Sequence, residues 1–482
     1  MSITITDFPT LQSTLQNTGN YPSDGLVYIG SNITFTSTIT TPTNAPAVTI
    51  ESTPGSGPYT LSYPSSSNST NYNFVFRGAG VTLDNIIIDG GTNATSNVGN
   101  PPNNVSVGGG GISIQNGVNT IGAGCTIQNC YTNGNLQGGT GAVNVWSNSG
   151  PITLNLYGTI QYNRGTGNNF QATGAGMAII QQSSNNSILT NMYPGAKIVY
   201  NSAFCAGGGL FVDTWALNMN TNNVFNMTGG NIDNNYTQTV GGGIAAGASS
   251  DDNVTLNISG GSISNNKADN TGTSYNTVNG VQERGNGGGI WIQDGTTTIS
   301  GNTQIWNNVA VQYGGGAYTS SSISPTDPKA PTINVQGGDW KANTAVQGAA
   351  IYKNGGPLTV NGGIFHDHVS TGDGAVFYAN NANTSLIASA LPSNLTPDDT
   401  ATPTAGTISV FGNTANGGNG GVVANKGNPA STFTATNVLF YKNTATGNGG
   451  VLYSDTANIN QFNGCILDSN SAQLGGAYYI TQ

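Results

Sequence analysis

The chain has 482 residues, 72 of them glycine, with charged side chains at only 6% of positions and a formal net charge of −10. Ten Lys and Arg in all provide no basic stripe for nucleic-acid phosphates or an anionic bilayer surface, so neither is an expected partner. So little charge with so much Gly also excludes a helical protein and a charge-rich disordered chain, leaving strands and turns.

Asp7 and Pro9, with apolar residues at Phe8, Leu11 and Leu15, predict a short amphipathic helix opened by an N-cap. A stack of strands has unpaired edges at its end, and a helix laid there covers them; residues 1–24 are read as an N-terminal strand and capping helix. Between 25 and 107 the alternations Leu26-Val27-Tyr28-Ile29, Ile33-Thr34-Phe35-Thr36 and Val81-Thr82-Leu83 predict the strands of irregular first coils. No apolar run reaches bilayer length, so membrane insertion is not expected, and the N-terminus lacks the basic, apolar, small-residue order of an export signal.

From 108 to 482 one phrase returns. It is a Gly pair followed by an apolar-x-apolar strand, as in Gly287-Gly288-Gly289-Ile290-Trp291-Ile292, with further copies beginning at Gly207, Gly241, Gly314 and Gly475 and looser ones between them. Spacings of about 25 to 47 residues are those of a solenoid. Each repeat adds a second strand ending in a Gly turn, as in Val254 to Gly261 and Leu358 to Gly363, and a third piece with an apolar residue, two variable residues and Asn. That third piece runs Ile160 to Asn163, Ile198 to Asn201, Ile305 to Asn308 and Phe440 to Asn443, with Cys130 and His368 in the Asn slot of two other copies. Asn tolerates the left-handed turn conformation and hydrogen-bonds its neighbours, so one Asn per coil predicts a stacked amide ladder. The expected fold is all-β, a right-handed parallel β-helix of about twelve or more coils, with loop insertions near 268–286 and 379–405.

Both motifs together resemble the polymorphic membrane proteins of chlamydiae, autotransporter adhesins whose passengers repeat "GGAI" and "FxxN". Phe440-Tyr441-Lys442-Asn443 followed by Gly449-Gly450-Val451-Leu452, and Gly348-Ala349-Ala350-Ile351, are the closest copies. The N-terminal helix followed by strands is similar to the start of the pectate-lyase-like adhesive domains of bacterial surface proteins. The resemblance covers about 108 to 482 and implies the β-helix, adhesion, and an extracellular or cell-surface location. The signal peptide and C-terminal translocating barrel of such passengers are not expected in this chain.

A β-helix also hosts polysaccharide lyases and glycoside hydrolases, which need clustered carboxylates and a base, or two carboxylates across a bond. The acidic candidates are Asp251 with Asp252, Asp398 with Asp399, Asp213, Asp233, Asp294 and Asp367, and the basic ones Arg77, Arg164 and Arg284. Neither acidic pair has a second acid in register one coil away or an Arg placed to join it, so no catalytic residue is expected. His366 and His368 flank Asp367; His368 falls in the Asn slot, His366 shares its strand face, and the sequence names no third ligand, so no metal and no cofactor are expected. Cys125, Cys130, Cys205 and Cys465 match no zinc or redox spacing, and three lie beside repeat strands as small apolar residues.

The informative constellation is the strand position after the Gly phrase. If Ile290 and Ile292 fill the core, Trp291 points outward, and by the same count so do Phe211, Tyr318, Tyr352, Phe377, Tyr453 and Tyr479. An outward row of rings suits stacking on sugars or anchoring a protein partner, or else the rings stack on one another beneath the insertions. The expected function is a noncatalytic extracellular β-helix for adhesion to glycans or a cell-surface protein, with self-association through solenoid faces or ends as a further property. The alternatives are a polysaccharide lyase or glycoside hydrolase, and a structural virion spike or filament module.

Overall fold

The computed structural model describes residues 2–63, 72–91, 110–132, 141–165, 173–183, 185–214, 222–247, 254–271, 276–278, 281–320, 331–427, 431–455 and 460–481. Among the described residues strands hold 49% and helices 3%, and the strands stack in parallel register as a β-helix solenoid. The chain divides into two compact units, Met1–Gln238 with Asp251–Val254 and Thr239–Ser250 with Thr255–Gln482.

In the first unit the helix Phe8–Gln16 forms where the cap residues require it. Asp7 accepts from the Thr10 amide, and Phe8, Leu11 and Leu15 are buried, with the Phe8 ring 5.1 Å from that of Phe35. The segment from 25 onward lacks the Gly phrase, yet its described strands join the same parallel sheets: Phe74–Phe76 pairs with Ile112–Ile114, and Tyr59–Ser62 pairs with Ile86–Asp89. Core ladders run Ile112, Val143, Met177 and Leu210, and Ile127, Ile160, Ile198 and Ile232, each in register with the next.

The second unit repeats the plan. Ile290 pairs with Ala317, Ala317 with Ile351, Ile351 with Phe377 and Phe377 with Val423, while Ile305, Trp340, Phe365, Val410 and Phe440 form the ladder of the third piece. Trp340, Phe365 and Phe440 are fully buried, and at roughly 1.5–3 kcal/mol per buried large side chain this ladder contributes much of the cohesion. Gly287 holds φ 67°, and a Cβ on Gly289 would lie 2.6 Å from the carbonyl oxygen of Gly316, so the phrase needs glycine both to turn and to let the next coil approach. A fourth, two-residue strand follows the Asn slot, as at Val309–Ala310 and Thr344–Ala345.

The amide ladder is present in both units. Asn163 donates from its backbone and side chain to Asn201 Oδ1 at 3.1 and 2.9 Å, and Asn201 does the same to Asn235; in the second unit Asn266, Asn308 and Asn343 repeat the pattern, as do Asn413, Asn443 and Asn470. His368 stands in the slot as expected, accepting the Asn343 amide on Nδ1 at 3.1 Å and donating its own amide to Asn413. Burial pushes its ring down to about 3, which keeps it neutral. The left-handed turn, however, is taken by the residue before the ladder Asn: Tyr162, Tyr200, Asn234, Asn265, Asn307, Ala342, Asp367, Lys442 and Ser469 all have φ between 51° and 57°. The ladder Asn itself is inside, where its amide satisfies backbone groups of the preceding coil and donates to the ladder Asn of the following one, as Asn201 does in accepting from Asn163 N and donating to Ile160 O and Asn235 Oδ1.

The insertions also differ in extent from the sequence reading. Near 268–286 an antiparallel pair, Asn276–Val278 with Val281–Glu283, forms a two-stranded sheet of its own. Near 379–405 the first part, Thr384–Ile387, is a regular strand between Leu358–His366 and Phe433–Thr436, and the excursion is confined to 388–406.

Candidate functional site

The aromatic row exists but is not the open surface that alternation suggested. Trp291 pairs with Tyr318, Tyr318 with Tyr352, Tyr352 with Tyr378, and further on Ala424 with Tyr453 and Tyr453 with Tyr479. Phe377 is on the opposite face, in register with Ile351 and Val423 and edge-on to Phe365 at 5.0 Å, because the phrase in that coil begins one residue later than the sequence count; Tyr378 holds the outward place. Trp291, Phe211 and Phe377 are 0–1% exposed, Tyr318 4% and Tyr352 8%, leaving only Tyr453 and Tyr479 half-buried. The rings stack on one another, with Tyr318–Tyr352 at 5.2 Å and Tyr352–Tyr378 at 4.7 Å. Glu283, at the end of the strand Val281–Glu283, covers one end: its carboxylate accepts from Trp291 Nε1, Asn286 Nδ2, Tyr318 Oη and Ser320 Oγ at 3.0–3.2 Å. Burial, and then the neighbouring Glu283, hold the Tyr318 phenol well above its usual range. Sequence alternation gives the direction of a side chain but not what later folds over it.

Exposed rings occur instead on the outer face of the first unit. Alternation through Ile152–Leu156 and beyond turns Thr153, Asn155 and Tyr157 outward, and one coil later Leu189, Asn191 and Tyr193. Tyr157 and Tyr193 stack at 4.5 Å, and across the neighbouring strands Tyr162 and Tyr200 stack at 5.2 Å. Tyr157 is 37% and Tyr200 36% exposed. Amide rows run beside them: Asn226 donates to Asn191 and Asn191 to Asn155 at 3.0 and 3.2 Å, and Gln161 donates to Gln128 at 3.0 Å. Tyr162 and Tyr200 occupy left-handed stations, φ 55° and 57°, that Asn129 and Asn234 fill in adjacent coils; a bulky ring there costs backbone energy that an Asn would not.

The second unit gathers a polar cluster that sequence reading did not assemble. His366 is 1% exposed, its ring stacked at 4.8 Å on Phe411 of the following coil and in register with Lys341 of the preceding one. Its Nε2 is 3.0 Å from Asp339 Oδ1 and its Nδ1 2.8 Å from Asp367 Oδ2, and Asp399 Oδ1, brought by the 388–406 excursion, lies 3.8 Å from Nδ1. Lys341 Nζ is 3.7 Å from the other oxygen of Asp399. Burial alone lowers the imidazole, but the hydrogen bonds and charges of Asp339 and Asp367 outweigh it and raise the ring to about 9, while the His366 hydrogen bond lowers Asp367. Asp339 and Lys341 were legible in the repeat, since aligning Trp340–Asn343 with Phe365–His368 places them beside His366. Asp399 was not, because nothing in the sequence says where an excursion returns.

The other candidates stay apart. Asp213 and Asp294 are buried and bond their own following amides, Asp233 accepts from Asn234, and Asp398 caps Thr400. Arg77 bonds Gln115, Arg164 is buried, and Asp251 and Asp252 lie outside the described residues. All four cysteines are free thiols, three of them buried. Among the described residues no helix is long and apolar enough to cross a membrane. Comparison with protein-family models, curated proteins and solved structures gives no match.

Proposed function

We propose that the protein is a noncatalytic adhesive β-helix, working outside the cell or at its surface, whose first unit binds glycans. The observation that carries this reading is the tyrosine-edged face: two ring stacks, Tyr157–Tyr193 and Tyr162–Tyr200, each with one exposed ring, accompany rows of side-chain amides. Aromatic surface with hydroxyl and amide donors is the combination that recognises a sugar, whose faces are apolar and whose rim is polar. The left-handed tyrosines add weight, since strained residues persist where the surroundings hold them for use. The lyase reading is disfavoured at the polar cluster, because both ring nitrogens of His366 are engaged by Asp339 and Asp367, whose hydrogen bonds and charges favour the protonated ring over the free base that proton abstraction needs.

The test is a glycan array with the full chain, followed by titration of any hit against Tyr193→Ala, Tyr200→Ala and Trp291→Phe. Binding lost in the first two and kept in the third supports the reading. Equal binding by all folded variants removes this face as the site, and new reducing ends or unsaturated products from any polysaccharide would replace adhesion by catalysis.

A further inference from the structure

We propose that His366, Asp367 and Asp399 form a three-ligand site for a divalent first-row transition ion of the zinc class, with Asp339 as the positioning residue. One ligand atom from each side chain lies within 4.8 Å of the others. Tetrahedral donors at about 2.0–2.1 Å from zinc stand about 3.3–3.4 Å apart, between the 2.8 and 3.8 Å that now separate His366 Nδ1 from the two carboxylates. Rotation of the exposed Asp399 side chain toward Nδ1, now 3.8 Å away, would close the site.

Three features distinguish this from a chance group of surface acids. The imidazole is buried and fixed from behind, its Nε2–H donating to Asp339, which is how metal-bound histidines are commonly oriented. Stacking on Phe411 fixes the ring plane and leaves Nδ1 facing both carboxylates. Asp399 divides its work, with Oδ1 toward Nδ1 and Oδ2 toward Lys341. On binding, the Nδ1–H bond breaks, its proton goes to solvent, and the Nδ1 lone pair forms the bond to the ion. Three carboxylates then balance one lysine and a double positive charge. One imidazole among the donors favours a borderline ion over Ca²⁺ or Mg²⁺, which prefer six or more oxygens.

The chain, stripped with chelator, is titrated with Co²⁺ while visible absorption is followed, and with Zn²⁺, Ca²⁺ and Mg²⁺ by calorimetry. The expected result is one ion per chain, a tetrahedral cobalt spectrum, Zn²⁺ bound well ahead of Ca²⁺, and a proton released. Asp399→Asn, on an exposed excursion and so safe for the fold, is expected to weaken Zn²⁺ at least tenfold, and Asp339→Asn by about 10–100-fold through orientation alone. Zn²⁺ affinity unchanged in folded Asp399→Asn and His366→Gln, no binding by the native chain, or preference for Ca²⁺ would each overturn the assignment.

Discussion

Glu283 accepts a hydrogen bond from the indole Nε1 of Trp291 at 3.2 Å, and its other oxygen accepts from Tyr318 Oη at 3.0 Å. One carboxylate at the end of the Val281–Glu283 strand therefore joins an insertion to two successive rungs of the aromatic row.

Removing that carboxylate uncovers the row. Glu283→Ala leaves four donors without their acceptor, and at about 1–3 kcal/mol for a buried polar group left unpaired the loss of stability is expected to be a few kcal/mol. Acrylamide quenching of tryptophan fluorescence, measured against a Trp291→Phe background, reports the uncovering; unchanged quenching contradicts the covering role of Glu283.

The ladder amides carry the turn. Asn308→Ala removes an acceptor for the Asn266 backbone and side chain and a donor to Asn343 and to the Ile263 carbonyl. The expected destabilisation is about 2–4 kcal/mol, read from the urea midpoint, whereas Asn307→Gly at the neighbouring left-handed station stays within about 1 kcal/mol.

Lys353 makes stability depend on pH. It is fully buried, its Nζ donates to the Pro331 carbonyl, and burial pushes the amine down to about 7. The folded pKa is below the unfolded one, so the fold favours the neutral amine. Stability is therefore lost as pH falls from the unfolded value toward 7, by at most about 1.4 kcal/mol per unit, and changes no further on this account below 7. Lys353→Met is expected to be more stable than the native chain at pH 7, with the advantage shrinking at pH 9; thermal melts of both proteins at the two pH values decide it.

The left-handed tyrosines exchange stability for surface. Tyr200→Asn, the residue type at Asn129 and Asn234, is expected to stabilise the first unit by about 0.5–1 kcal/mol while weakening glycan binding. If Tyr200→Asn binds as tightly as the native chain, the ring serves no ligand.

The sequence by itself determined the coil. The Gly phrase, the inward apolar ladder and the Asn slot are local patterns repeated at coil spacing, and repetition fixes register because each strand must offer its apolar face to the same core. The assignment of His368 to the Asn slot follows from that repetition. Tertiary structure decided what the insertions cover and what they bring together. Trp291 was readable as outward but not as sealed, since Glu283 reaches it from an insertion with no repeat to place it, and Phe377 was assigned to the wrong face by a one-residue slip in a loose copy. Likewise His366, Asp367, Asp339 and Lys341 follow from the alignment of adjacent coils, whereas Asp399 joins them only because the 388–406 excursion folds back, and the path of a loop depends on packing rather than on period.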